Sequence, residues 1–286
     1  MSIRKAARFL KLKQLSEYFN FNSSIKLNGK KYIIPVIKNT GLLNLSLKED
    51  WFFELLKLLK LPKDSSFIDV GVNVGQTLLT FRSCYNNPYW GFEPNPNCVF
   101  YLNTLVKKNS FSDTYVIPVG LSLDNEVAKF YTKNDVDSAG TIVKELRPDY
   151  YEEKAVNYVP LFSFDKLNLP EIGTISLIKI DVEGAELEVI SGFVETLKRQ
   201  RPAIICEILD CHSEKSVTSM QVRAQKLVAL IQDLGYNIYR IIHEADKITF
   251  EKTNEVKLKL WTVESWNLND YLFVSKEKEQ PQNIKF

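Results

Sequence analysis

Two spacings of hydrophobic residues divide this chain. Over residues 1 to about 20, Ile3, Ala6, Ala7, Leu10 and Leu15 recur at roughly helical intervals, which predicts an amphipathic helix. Ile25-Lys26-Leu27 and Tyr32-Ile33-Ile34-Pro35-Val36 flank Asn28-Gly29, a dipeptide that tolerates the positive φ angles of a tight turn, so a β-hairpin follows. Trp51, Leu55, Leu58 and Leu59 return to helical spacing and predict a helix over Lys48 to Leu61, ended by Pro62.

From Ser66 the pattern changes to short apolar runs alternating with helical segments, the mark of an α/β sheet with helices on both faces. Strands are predicted at Phe67–Val70, Tyr89–Phe92, Tyr115–Val119, Leu177–Ile180 and Ala203–Ile208, with an inserted strand at Val159–Phe162. Helices are expected at Gly75–Cys84, around Val99, Leu102, Leu105 and Val106, and around Leu227, Val228, Ile231 and Leu234. Strands near Asn237–Ile242 and Tyr271–Val274 complete a mostly parallel, Rossmann-like sheet with an antiparallel terminal strand. The expected organisation is a helix and hairpin cap at 1–62, a main domain at 63–276 and a polar tail at 277–286.

The first strand of the main domain runs into Asp69-Val70-Gly71-Val72-Asn73-Val74-Gly75, a glycine turn at the sheet edge where open α/β sheets bind ligands. Asp69, Gly71, Asn73 and Gly75 are therefore candidate cofactor residues. The second strand ends in Trp90-Gly91-Phe92-Glu93-Pro94, so Glu93 lies about twenty positions after the turn, where a carboxylate can accept both ribose hydroxyls. A dinucleotide loop needs a glycine where Asn73 stands, because only glycine lets the backbone reach a pyrophosphate. A nucleoside without phosphates suits this turn better, and S-adenosylmethionine is the common cofactor of that kind. There is no GxxxxGK[ST] phosphate loop.

A third constellation, Lys179-Ile180-Asp181-Val182-Glu183-Gly184-Ala185-Glu186, ends a buried strand in three acids. At that edge carboxylates face a ligand crevice, where they can meet a sulfonium cation, orient a hydroxyl or bind a metal. Asp181 also suits a helix N-cap, and Glu186 the first turn of the next helix.

FIDVGVNVGQ, GFEPNP, SLIKIDVEGAELEVISG and the acid-ended strand AIICEI, taken in order over about residues 66 to 210, resemble the FkbM-type methyltransferases. The resemblance implies S-adenosylmethionine as methyl donor and O-methylation of a hydroxyl, often on sugars or polyketide-like natural products. Val72 stands where the family usually has alanine, and the cap lies outside the resemblance.

Methyl transfer to a weakly acidic hydroxyl calls for a general base, and Asp181, Glu207 and His212 are the candidates. His243 is given no role. Asp181, Glu183 and Glu207 form a set that magnesium would accept, but no metal is assigned. The polar and aromatic stretch Asn134 to Tyr158, with Asp137, Ser138, Thr141, Arg147, Tyr150 and Tyr151, can cover the site. Competing functions are a nucleotide-dependent oxidoreductase, which the missing GxGxxG disfavours, and a non-catalytic adaptor, which would have lost these carboxylates.

With 37 basic and 35 acidic residues, a net +2, the chain carries no global field for nucleic acid, so the expected partner is a small-molecule or glycan acceptor. Four cysteines without CxxC spacing, no signal-peptide pattern and no apolar run of ~18 residues predict a soluble, cytoplasmic protein. Arg4, Lys5, Arg8, Lys11 and Lys13 precede the first acid, Glu17. That start suits either weak contact with an anionic membrane or simple solvation of a cap helix.

Overall fold

The computed structural model describes residues 12–48, 50–151, 156–244 and 247–278. Within them the predicted first helix survives as α1, residues 12–18; Arg4, Lys5, Arg8 and Lys11 of its basic face lie outside the described residues. The hairpin pairs β1 (Phe21–Leu27) with β2 (Lys30–Val36), turning through Asn28 and Gly29 at φ 47° and 74°. Tyr32, Ile34 and Val36 are buried while Lys30, Lys31 and Ile33 face out. Helix α2 (Trp51–Leu58) is shorter than the predicted Lys48–Leu61. The Asp50 carboxylate caps it by accepting from the Phe52 and Phe53 amides at 3.1 and 3.4 Å, which fixes the start. At the other end the chain turns extended at Leu59, ψ 146°, and tucks Leu59 and Leu61 into the core ahead of Pro62.

The main domain begins with β3 (Ser66–Val70), α3 (Gln76–Cys84), β4 (Tyr89–Phe92), α4 (Pro96–Asn109) and β5 (Thr114–Ile117). Then β6 (Gly120–Leu121), β7 (Glu126–Tyr131) and β8 (Val156–Phe162) form a separate three-stranded sheet ordered β6-β8-β7. The predicted inserted strand is β8; its partners are too short or too polar to stand out in the sequence. The chain returns through β9 (Ile175–Ile180), α5 (Glu186–Ser191), α6 (Val194–Gln200), β10 (Ala203–Glu207) and α7 (Glu214–Asp233). It ends with β11 (Tyr236–Glu244), β12 (Lys247–Thr253) and β13 (Asp270–Ser275).

The large sheet has the order β12-β11-β13-β10-β9-β3-β4-β5. From β5 to β10 every pairing is parallel, and β13 runs antiparallel between β10 and β11. The unpredicted β12 adds a second reversed strand at the edge. Its sequence, KITFEKT, is an alternating edge strand with charged outward positions. Strand order reverses between β3 and β9, so their carboxyl ends form the crevice where such sheets bind ligands.

Each face of the sheet has its own core. Phe67, Leu177, Ile205, Tyr239, Ile241 and Leu272 face the hairpin, α2, α3 and α4, whereas Ile68, Ile178, Ile180, Ile204 and Phe273 face α5, α6 and α7. Burial on both faces is why β9 reads as a nearly continuous apolar run, with each large aliphatic side chain contributing about 1.5–3 kcal/mol. Lys179 breaks that run and is itself buried, a costly placement that calls for charged partners.

Candidate active site

The turn after β3 is built on three residues with positive φ: Gly71 at 90°, Asn73 at 50° and Gly75 at 82°. Gly71 is needed for close approach of two strand ends. Its amide donates to the Phe92 carbonyl, and a Cβ there would lie 1.9 Å from the Asp181 carbonyl oxygen. The forbidden neighbour is thus backbone rather than ligand space. Gly75 caps α3, and a Cβ there would meet Leu102 at 2.9 Å, so this glycine serves packing and lies outside the cavity wall.

Asn73 donates its amide to Glu93 Oε2 at 2.7 Å, and Asn95 donates to Glu93 Oε1 at 2.8 Å. Glu93 is 5% exposed, and burial pushes its carboxyl up to about 7 against these two amide bonds. Each oxygen keeps a lone pair beyond the one used. Gly71, Asn73 and Glu93 line a cavity together with Asp181, Glu183 and Glu207. The predicted cover also reaches it: Asp137, Ser138 and Thr141 line the wall, and Thr141 donates to the Glu183 carbonyl at 2.7 Å. Residues 152–155 of that stretch lie outside the described residues.

At the acidic end charges are matched in pairs. Lys179 Nζ lies 2.7 Å from Asp181 Oδ2, and Arg147 bonds Glu183. Burial works against the Lys179 ammonium, yet Asp181 and Asp69 hold its pKa above the ordinary range. Burial likewise disfavours the Asp181 carboxylate, but Lys179 and a hydrogen bond from Glu207 keep its pKa below the ordinary range. Glu207 is driven the other way, well above the carboxylic range, by burial and then by the charges of Asp181 and Asp270. That direction works against Glu207 serving as a base. Burial raises Glu183 to about 7 despite Arg147. Asp181, Glu183 and Glu207 each place an oxygen within 4.8 Å of the others, a set a hard divalent cation accepts.

Besides Gly75, two predicted residues are set apart from the cavity. Asp69 lies beneath it, fully buried, bonded to the Tyr89 hydroxyl and in register with Lys179. Burial raises its pKa to about 6, opposed by Lys179. Its place is to balance Lys179, a supporting role, rather than to touch a cofactor. His212 is exposed and stacks on Trp261 at 5.4 Å, outside the cavity wall. Cys211 donates its amide to the Lys259 carbonyl and accepts from the Trp261 amide, which pairs this loop with the 259–261 segment and leaves His212 outside the cavity wall.

A profile described as the methyltransferase FkbM domain matches residues 69–238, more than half of the chain. The chain belongs to the FkbM methyltransferase family. S-adenosylmethionine is its cofactor, and the cavity wall carries a buried carboxylate with unused lone pairs, Glu93, beside the further acids Asp181, Glu183 and Glu207. Among solved structures, this FkbM-family chain is similar to an FkbM methyltransferase of Methylobacillus flagellatus KT, with 13% identity and TM-score 0.46 over 95% of this chain and 59% of that one. This chain thus spans less than two thirds of that protein. It is also similar to precorrin-6y C5,15-methyltransferase of Geobacter metallireducens GS-15 (12%, TM-score 0.38, 77% and 86% covered). A third is M. jannaschii TYW2 in complex with AdoMet (10%, TM-score 0.38, 89% and 86% covered). No curated protein matches.

Sequence reasoning missed Lys179, Gln76, Thr77, Asp270 and His243. A second cavity shares Gln76, Thr77, Asp181 and Glu207 with the first and continues to Trp51, His243 and Asp270. Lys179 carried a signal, a lone charge in a buried strand; the others depend on strand register. Among the described residues no helix is long and apolar enough to cross a membrane.

Proposed function

We propose that this FkbM-family protein transfers the methyl group of S-adenosylmethionine to a hydroxyl of a sugar, glycan or related natural product. Glu93 would hold the ribose hydroxyls, Gly71 and Asn73 would line the nucleoside, and Asp181 would face the methyl group and the acceptor. The observation that carries the reading is the ionised Asp181, held by Lys179 at the boundary shared by the two cavities. A carboxylate there accepts a hydrogen bond from an acceptor hydroxyl beside the reacting one and so turns the reacting oxygen toward the donor, and such alignment is the main demand of an in-line displacement. The cofactor supplies the activated methyl. The chain supplies orientation and a dry, charge-matched edge.

The test is transfer from tritium-labelled S-adenosylmethionine to a mixture of methyl glycosides, followed by mild alkali. Label retained on the sugar as a base-stable ether is expected. Label released as methanol would mean a methyl ester, and failure of every glycoside to take up label would remove the sugar class.

A further inference from the structure

The second cavity lies on the cap side of the sheet, its walls shared between the matched domain and residues outside the match such as Trp51, His243 and Asp270, and its polar groups form a row. Asp181, Glu207, Asp270 and His243 follow one another along the edge of β9, β10, β13 and β11, with Glu207 and Asp270 in register across β10 and β13. His243 Nε2 lies 3.4 Å from Asp270 Oδ2, and both side chains are at most 14% exposed. The ring of Trp51, from the first turn of α2, stacks on the imidazole at 5.0 Å and 11°. Asp50 also lines this chamber, and so does Lys179. The ring is fixed in plane by Trp51 and in rotation by Asp270, so its second nitrogen, Nδ1, has a defined direction.

The carboxylates nearer the donor are already engaged. Asp181 is paired with Lys179, and Glu207 is hydrogen-bonded to Asp181. His243 is the nitrogen base on the wall of the same chamber. Resting on the methyl-transfer reading above, we infer that this second cavity is the acceptor chamber and that His243 Nδ1 takes the proton of the acceptor hydroxyl. Asp270 acts as the positioning residue. In the step, the hydroxyl oxygen forms a bond to the methyl carbon and the carbon–sulfur pair stays on sulfur as a neutral thioether. The O–H proton passes to Nδ1, and the imidazolium gives it to water after product leaves. The cap is thereby part of the active site: α2 brings Trp51 to the ring and walls the acceptor, while Gln76, Thr77, Asp181 and Glu207 divide acceptor from donor.

The experiment has two arms. The chain has two histidines, so protein labelled with 15N-histidine reports two rings, and the neutral His243 ring should carry its proton on Nε2. Asp270→Asn should spread that proton over both nitrogens. A proton fixed on Nδ1, or a ring unchanged by Asp270→Asn, overturns the inference. In transfer to the methyl glycosides, His243→Asn should lower kcat about 100-fold or more while affinity for S-adenosylhomocysteine stays within about twofold. A folded His243→Asn that transfers at the wild-type rate overturns the inference and leaves the proposed function standing. A wild-type protein that binds S-adenosylhomocysteine yet labels no glycoside overturns the sugar reading, and the nitrogen spectra then decide the place of His243 alone.

Discussion

The donor and acceptor halves of the sheet edge are built in different ways. The donor half is local: one turn from Gly71 to Gly75 and one carboxylate at Glu93, held by backbone amides of Asn73 and Asn95. The acceptor half draws Trp51 from the cap and Asp181, Glu207, His243 and Asp270 from four strand ends spread over much of the chain. A nucleoside of constant shape can be met by backbone geometry, which tolerates little change. A varied acceptor is met by side chains on separate elements, each of which can change without moving the others.

If this contrast holds, the largest effect belongs to the donor turn. Gly71→Val puts a branched side chain against the Asp181 carbonyl at a φ that suits glycine, and should cost about 3 kcal/mol or more, or prevent folding. A variant that melts like the wild type in a calorimetric scan would show that the strand ends are free to part.

Asp181→Asn probes the boundary. It should reduce methyl transfer about 100-fold while changing S-adenosylhomocysteine affinity less than about fivefold. Parallel losses, read from kinetics beside titration calorimetry, would move Asp181 into the donor half.

A third effect is the pH dependence of the unliganded fold. Burial raises Glu93, Glu183 and Glu186 from 4.5 to about 7 and Asp69 from 3.8 to about 6. Between those limits the native chain binds more protons than the unfolded one, so stability falls as pH rises toward 7. The midpoint of thermal unfolding should drop from pH 5.5 to 7.5, and Glu93→Gln should shallow the slope. A midpoint that climbs over this range would mean that the carboxyls are ionised throughout.

The smallest effect is expected at His212, which stacks on Trp261 away from both cavities. His212→Asn should leave transfer within about twofold of wild type. A large loss would bring that loop back to the acceptor side and undo the assignment to His243.

What was legible in the sequence follows the same division. The glycine turn and Glu93 could be read because twenty residues of one strand-turn-helix-strand unit hold them at fixed spacing. The parallel strands were legible as apolar runs, although Tyr115–Val119 stops at Ile117, where β5 ends. Asp69 misled because its place in the motif gives no sign of depth: it points below the cavity toward Lys179. His212 looked suitable because it follows Glu207 closely in sequence, but its ring stacks on Trp261 outside the cavity wall. His243 was passed over because nothing near it in sequence marks it. Its partner Asp270 is found only through the register of β13 between β10 and β11, which no short-range pattern in the sequence records.

The most direct test is calorimetric titration of S-adenosylhomocysteine into wild-type, Glu93→Ala and His243→Asn proteins. Loss of the ribose carboxylate should cost about 1.5–3 kcal/mol, a weakening of about 10- to 150-fold, whereas His243→Asn should bind within about twofold of wild type. Wild-type affinity in a folded Glu93→Ala, or an equal loss in His243→Asn, would contradict the division of this edge into donor and acceptor halves.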